Sequence, residues 1–344
     1  MKSACFILFL AVLLSVLLVQ SCSKTDGTPK ASKVELQVPQ GWPEPLYNFN
    51  NNPLTDQGIL LGRKLFYDGK LSKDGNFPCA SCHQQFAAFA TFDHDFSHGI
   101  NNQFTSRNAQ GLFNLAWRKE MMHDGRAKDL DNQPVLPITA PNEMGETIQD
   151  VIAKLQADAE YRNLFKAAFG SEEITEQKMM KALSQFMLTM VSANSKYDRV
   201  KRGEASFTLA EGLGYDIFKT KCANCHTEPL FTDLSYRNIG MPEHPVLKDK
   251  GRMAFTGNKA DSLKFMVPSL RNVQLTFPYG HDGRFPAIFN VLDHYRSSVV
   301  DGPTTDPLVK NKIPLSNFEI GQLTAFLNAL TDSAFIVDQR FAPL

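Results

Sequence analysis

Two short runs concentrate the reactive side chains of this chain. Cys79-Ala80-Ser81-Cys82-His83 and Cys222-Ala223-Asn224-Cys225-His226 each set two thiols three residues apart, with an imidazole directly after the second. That spacing is the attachment motif of c-type haem. The two thiols form thioethers to the two vinyl groups of one porphyrin, and the adjacent histidine falls beneath the iron and supplies its proximal nitrogen. Four cysteines could instead build a structural zinc site or redox dithiols, but neither needs a histidine after each pair. The motifs therefore predict two covalent haems c, one on Cys79, Cys82 and His83 and one on Cys222, Cys225 and His226.

The remaining cysteines fit an exported chain. There are six in all, and the two outside the motifs are Cys5 and Cys22, so none is left for a structural disulfide. Lys2 precedes an apolar run from Ala4 to Val19, near the length of a signal segment and short for a membrane span. Ser21-Cys22 resembles a bacterial lipobox, which gives a lipoprotein-type signal over 1–21 and a lipid anchor at Cys22; an ordinary secretory signal is the alternative. Residues 22–50 read as a flexible tether. The expected location is the periplasm, at a membrane face that no later segment crosses.

A length of 344 residues suggests about two domains. The 36 basic and 36 acidic side chains cancel, which argues against a polyanion-binding surface and so against nucleic acid as a partner. The two halves repeat one another. Leu61-Gly62-Arg63-Lys64-Leu65-Phe66 precedes the first motif and Leu213-Gly214-Tyr215-Asp216-Ile217-Phe218 the second. Downstream, Arg107-Asn108 leads to His123-Asp124-Gly125-Arg126, and Arg271-Asn272 leads to His281-Asp282-Gly283-Arg284. Capping boxes at Thr208–Glu211 and Ser316–Glu319, with helical apolar spacing over 147–169 and 176–194, make the chain mainly helical. The expected fold is all-α: two cytochrome c-like domains, each around one covalent haem, over 51–204 and 205–344, with the last residues able to pack back on the first.

At this point the residues resemble the bacterial dihaem cytochrome c peroxidase family from about residue 53 to the end. The likeness rests on the two haem motifs, Asp124-Gly125-Arg126, Asn142-Glu143-Met144-Gly145, Phe265 to Asn272, and Pro278-Tyr279-Gly280-His281-Asp282-Gly283. The resemblance implies that the first haem is the peroxidatic centre, that the second accepts electrons, and that calcium sits between them. Hydrogen peroxide is then the substrate, and a small c-type cytochrome or copper protein the electron donor. A homodimer is a further expectation.

The family's site positions fall on particular residues. Glu143 matches the distal glutamate that would move a proton between the two peroxide oxygens, although without the resemblance it would read as a helix-start carboxylate. Gln133 and Pro137 match other pocket positions. His98 matches a releasable distal ligand of the first iron, with His94 nearby. Asn108, Thr276 and Pro278 match calcium positions, which suits an ion that accepts amide and carbonyl oxygens. Two residues depart from the common peroxidase pattern. Tyr295 stands where methionine is usual at the second iron, as in the dihaem oxidases that mature tryptophan-derived quinone cofactors, with Met253, Met266 and His294 as alternatives. His123 stands between the haems where tryptophan is common. Tyr295 keeps a second function open, peroxide-driven oxidation of a protein or organic substrate through a high-valent dihaem state. A non-enzymatic electron carrier is the third.

Overall fold

Each half is built on a pair of helices that touch at a glycine. Helix Asp56–Tyr67 packs on Glu176–Leu188 in the first half, and Leu209–Lys221 packs on Asn317–Asn328 in the second. A Cβ on Gly62 would sit 1.9 Å from the Ala182 carbonyl oxygen, and one on Gly214 would sit 2.0 Å from that of Gln322. Both glycines therefore serve close backbone approach, and Phe186 and Phe326 flank the two contacts in the same way. In the second half the helix Leu209–Lys221 delivers the chain directly to Cys222, its C-cap.

The computed structural model describes residues 31–92 and 94–344. The expected signal segment 1–21, with Cys5, lies outside the described residues, as do Cys22 and the start of the tether. The part of the tether that is described is tied down. Val34 donates its N–H to the Leu54 carbonyl at 2.9 Å, and Asp56 donates to Ser32 at 3.1 Å. Trp42 meets Trp117 edge-on at 4.8 Å, and the Trp117 indole N–H donates to the Pro43 carbonyl at 2.7 Å. The tether reading rested on polar composition, which does not register two tryptophans that pack together.

The helices follow the sequence signals closely. Both expected capping boxes form, and a third, at Ser195 and Asp198, opens the helix Lys196–Lys201. The apolar stretch 147–169 is two helices, Ile148–Ala157 and Ala159–Phe169. Asp158 ends the first with extended backbone and caps the second through its side chain. The stretch 176–194 is helical only to Leu188. Among the described residues the only paired strands are Tyr236–Arg237 and Phe265–Met266, antiparallel and two residues each.

Apolar side chains gather in two clusters. The first runs from Leu54 to Met190 and includes Phe335 and Phe341 from the end of the chain. The second is smaller and runs from Tyr197 to Leu330. The Tyr67 hydroxyl donates to the Phe341 carbonyl at 2.5 Å and Arg63 Nε donates to that of Ala342 at 2.6 Å, which fixes the tail on the first half.

The structure also re-registers the repeat. Asn114 and Asn272 both adopt left-handed backbone, with φ 56°, and each opens a short turn, Leu115–Trp117 or Val273–Leu275. Each lies nine residues before its His-Asp-Gly-Arg run. The partner of Asn272 is therefore Asn114, and the Arg107-Asn108 match was a coincidence of residue type. Asparagine suits both positions because its short polar side chain tolerates left-handed backbone. Asn114 also exchanges hydrogen bonds with the Ser192 backbone, while Asn272 bonds the Ser192 hydroxyl and the Asp332 amide.

Candidate haem sites and the junction between them

The first motif folds as a tight turn, Cys79–Ser81, with the Cys82 and His83 amides donating to the Cys79 carbonyl at 3.2 and 3.0 Å. His83 Nδ1 lies 2.7 Å from the Phe89 carbonyl. A carbonyl only accepts, so Nδ1 carries the proton and Nε2 keeps the lone pair that an iron requires. Left-handed backbone at Ala88 and Phe89 turns that carbonyl toward the ring. The second motif repeats the design: His226 is held by the Cys222 carbonyl at 3.0 Å, and its Nδ1 lies 3.1 Å from the carbonyl of Phe231, itself left-handed. Burial pushes both imidazoles below the usual histidine range, so both are neutral donors. All four thiols are free and half-buried. This donor set fits a covalently attached haem at each turn.

Beside the first turn, Thr91 donates to the Cys82 carbonyl at 2.9 Å and hydrogen-bonds Ser97. Ser97 leads into the His98 loop, whose carbonyl lies 4.0 Å from Cys82 Sγ. The His98 ring is exposed and packs on His94 and Phe104, at 5.4 and 4.6 Å between centroids. Glu143 lies on the facing loop. Its carbonyl accepts the Ile100 N–H at 2.8 Å, and its carboxylate is close enough to help raise the Cys82 thiol. Burial raises the Glu143 pKa above the usual carboxylate range. Gln133 is half-buried, with Nε2 at 3.5 Å from Met122 Sδ. The Met144 amide donates to the Pro137 carbonyl at 3.2 Å, which ties that pocket position to the Glu143 loop.

Beside the second turn, Tyr295 sits in a π-helical turn, His294–Ser298, at the end of helix Ile288–Asp293. Such single turns often mark functional positions. Burial raises the Tyr295 hydroxyl, and the Cys222 and Cys225 thiols raise it further, so it is a neighbour of the second motif. The alternative ligands are otherwise engaged or distant in sequence. His294 Nε2 lies 2.9 Å from the Ile239 carbonyl, Met266 Sδ accepts from Arg118 at 3.6 Å, and Met253 opens a short helix, Met253–Thr256.

Between the halves, His123 Nε2 lies 2.9 Å from the Asn108 carbonyl, and burial pushes its pKa down to about 3. Its own carbonyl accepts the Met266 amide at 2.7 Å. His281 stacks on Phe265 at 3.8 Å, and its carbonyl accepts the Asn108 backbone N–H at 2.9 Å. Arg107 clamps Asp249 through two bonds and Asp124 through a third. Asn108 uses its amide nitrogen on the His94 and Asp95 carbonyls, so among the described residues its Oδ1 accepts nothing. The Thr276 and buried Pro278 carbonyls likewise accept no hydrogen bond there. Each is an amide or carbonyl oxygen, the donor type that a hard cation accepts. Among the described residues there is no cluster of three or more His, Cys, Asp or Glu suited to a metal.

Sequence reasoning missed Arg118, the Thr91–Ser97 support of Cys82 and the π-helical turn. Arg118 lacked a signal because its neighbours in space, Met266 and Tyr236, lie more than a hundred residues away. A surface cleft of about 650 Å³ borders Arg118, Met121, Leu130 and Met180, and none of Glu143, Gln133, His83 or His98 lines it.

Two Cys-x-x-Cys-His turns on repeated helical halves define a dihaem c-type protein. The family profile for di-haem cytochrome c peroxidase matches residues 56–206. The methylamine utilization protein MauG of Methylophilus methylotrophus is 32% identical over 344 residues, covering 97% of this chain and 98% of that one. The cytochrome c551 peroxidase of Nitrosomonas europaea is 34% identical over 275 residues, covering 79% of each. Among solved structures, a MauG-like protein associated with microbial copper homeostasis superimposes with a TM-score of 0.80 at 32% identity, covering 90% of this chain and 99% of that one. The chain belongs to the di-haem cytochrome c peroxidase family. It is therefore an oxidoreductase of the dihaem peroxidase class, with two haems as its complement.

Proposed function

We propose that the protein reduces hydrogen peroxide to two waters with two electrons and two protons, the electrons coming from a small c-type cytochrome or copper protein. The single observation that carries this is Glu143: a carboxyl beside the first haem turn, raised by burial, on a loop bonded to the His98 loop. Bound haem supplies peroxide binding at the first iron and one-electron carriage at the second. Glu143 takes the proton from the near peroxide oxygen and returns it to the far one. Its raised pKa suits both halves of that transfer. Gln133 orients the peroxide from the same pocket. His98 would be a releasable holder of the first iron alongside His83, and Tyr295 would hold the second alongside His226.

The finer assignments belong to the same reading. Asn108, Thr276 and Pro278 would hold a calcium ion, which would tie the halves together. The chain is exported to the periplasm, held at the membrane by lipid on Cys22, and works as two haem domains, 51–204 and 205–344, in a homodimer. A second reading, peroxide-driven oxidation of a protein substrate, is favoured by Tyr295 and by the likeness to MauG.

The test is peroxide consumption by the purified dihaem protein, diferric and half-reduced, with a reduced c-type cytochrome as donor. Turnover in either state supports the peroxidase reading, and a requirement for half-reduction supports His98 release. Oxidation of a protein substrate without donor turnover supports the second reading. No reaction in any state leaves an electron carrier.

A further inference from the structure

Arg118 follows the turn Leu115–Trp117 and carries its guanidinium from the first half to the junction. There it donates to Met266 Sδ at 3.6 Å, a weak thioether acceptor. Every comparable arginine nearby has a carboxylate. Arg107 has Asp124 and Asp249, Arg271 has Asp198, Arg237 has Asp233 and Asp306, and Arg252 has Glu120. Arg118 has none among the described residues. Glu120, two residues on, spends one oxygen on Lys128 and the other on the Tyr236 hydroxyl and Arg252. The other groups near Arg118 are cationic or neutral: His123, with Arg107 and His281 beyond it, and Tyr236. A half-buried guanidinium with five donors and one weak acceptor is costly unless an anion completes it.

The family's cofactor brings such an anion. Protoporphyrin carries two propionates on the edge opposite its two vinyl carbons. The thiols fix the vinyl edge at each Cys-x-x-Cys turn, so the carboxylates project away from those turns. The surface cleft offers no equivalent, since its acids, Asp129, Asp131 and Glu176, make no pair with Arg118, which instead contacts Met266. We propose that Arg118 is a haem-propionate clamp, pairing its guanidinium with a propionate carboxylate at the junction and thereby setting that haem's reduction potential. Arg118 is a positioning residue in this assignment. The proposal stands on the dihaem complement alone and is independent of the peroxide chemistry proposed above.

The fork of a guanidinium matches a carboxylate through two parallel bonds. Without it the propionate charge is left beside the iron and stabilises the ferric state. The test is a redox titration of both haems in the purified holoprotein and its Arg118→Gln variant, each with two covalent haems per chain. The expected result is a lower potential for one haem, shifting its oxidised-to-reduced ratio about tenfold at fixed ambient potential, or about 59 mV for one electron. Arg118→Lys, which keeps the charge, should restore most of the potential while moving the propionate bending bands in the resonance Raman spectrum. Where the glutamine variant fails to accumulate, those bands in the lysine variant decide. Unchanged potentials with only a lowered melting temperature, or unmoved propionate bands in the lysine variant, overturn the proposal.

Discussion

Ile100 donates its backbone N–H to the carbonyl of Glu143 at 2.8 Å, so the loop that carries His98 and the loop that carries the candidate acid are one hydrogen-bonded unit. Asn142 extends the contact by donating to the Phe104 carbonyl at 2.9 Å. Gly99 makes it tight: a Cβ there would stand 2.2 Å from the Asn142 carbonyl oxygen and 2.7 Å from that of Glu143.

That contact makes Gly99 a test of loop placement. Its backbone, at φ −104°, suits any residue, so alanine acts by contact alone. Gly99→Ala should push the two loops apart and cost about 1–3 kcal/mol of stability. Because a displacement of about 1 Å can cost about a hundredfold in rate, peroxide turnover should fall by that order with both haems still attached. Turnover equal to wild type would separate the two loops functionally.

Glu143→Gln tests the acid directly. Loss of a positioned proton carrier should lower turnover by about 10²–10⁴-fold. The acid limb of the wild-type rate profile should lie above the ordinary carboxylate range, because burial raises the Glu143 pKa, and it should vanish in the variant. The stability sign is opposite to that of a salt-bridged acid. A raised native pKa means the native state holds its proton longer, so stability falls as pH rises from the unfolded value through the native one. The glutamine variant should therefore be at least as stable as wild type at neutral pH, as measured by denaturant unfolding.

Arg271 and Asp198, one from each half, provide a stability test. Arg271 is 1% exposed and grips Asp198 through two bonds of 2.9 and 2.8 Å, while Trp42 lies 4.6 Å from the guanidinium. Arg271 Nε also donates to the Pro229 carbonyl, in the loop between His226 and Phe231. Asp198→Asn leaves the cation buried and should cost about 3–5 kcal/mol in denaturant unfolding. The Asp198 pKa is lowered: burial opposes the charge, but Arg271 and Ser195 outweigh it. Its contribution is thus present above the ordinary aspartate range and is lost as pH falls through the depressed native value. The variant should lose that acid dependence. A wild-type acid transition in Asp198→Asn would rule out the pair as its source.

Much of this was legible in the sequence because it depends on local chemistry. The two haem turns, the capping boxes at Thr208 and Ser316 and the mainly helical fold rest on spacings of a few residues, and each is found. What was not legible depends on distant partners. Arg118 looks like any surface arginine until Met266 and Tyr236 fold against it. Trp42 looks like part of a tether until Trp117 and Arg271 receive it. The Asn114–Asn272 equivalence was open to sequence reasoning, since both lie nine residues before their histidines, but the more conspicuous Arg-Asn pair drew the match instead. Glu143 and Tyr295 came from family likeness, because neither lies in a motif with a chemistry of its own.

Tyr295 separates the two enzymatic readings. Its π-helical turn widens the backbone at the residue itself, and Ile313 anchors its carbonyl at 2.9 Å, which leaves the side chain directed by the turn and not by helix periodicity. A phenolate donor favours ferric iron, whereas methionine raises the potential. Tyr295→Met should therefore raise the potential of the second haem in a redox titration while leaving that of the first near wild type. If the protein works as a donor-driven peroxidase, an easier-to-reduce second haem should preserve turnover with reduced cytochrome. If it oxidises a protein substrate, the same change should abolish that activity, since the second site no longer stabilises the oxidised state. An unchanged potential in Tyr295→Met would remove the tyrosine from the iron and return the position to the alternatives, of which His294 and Met266 already have partners.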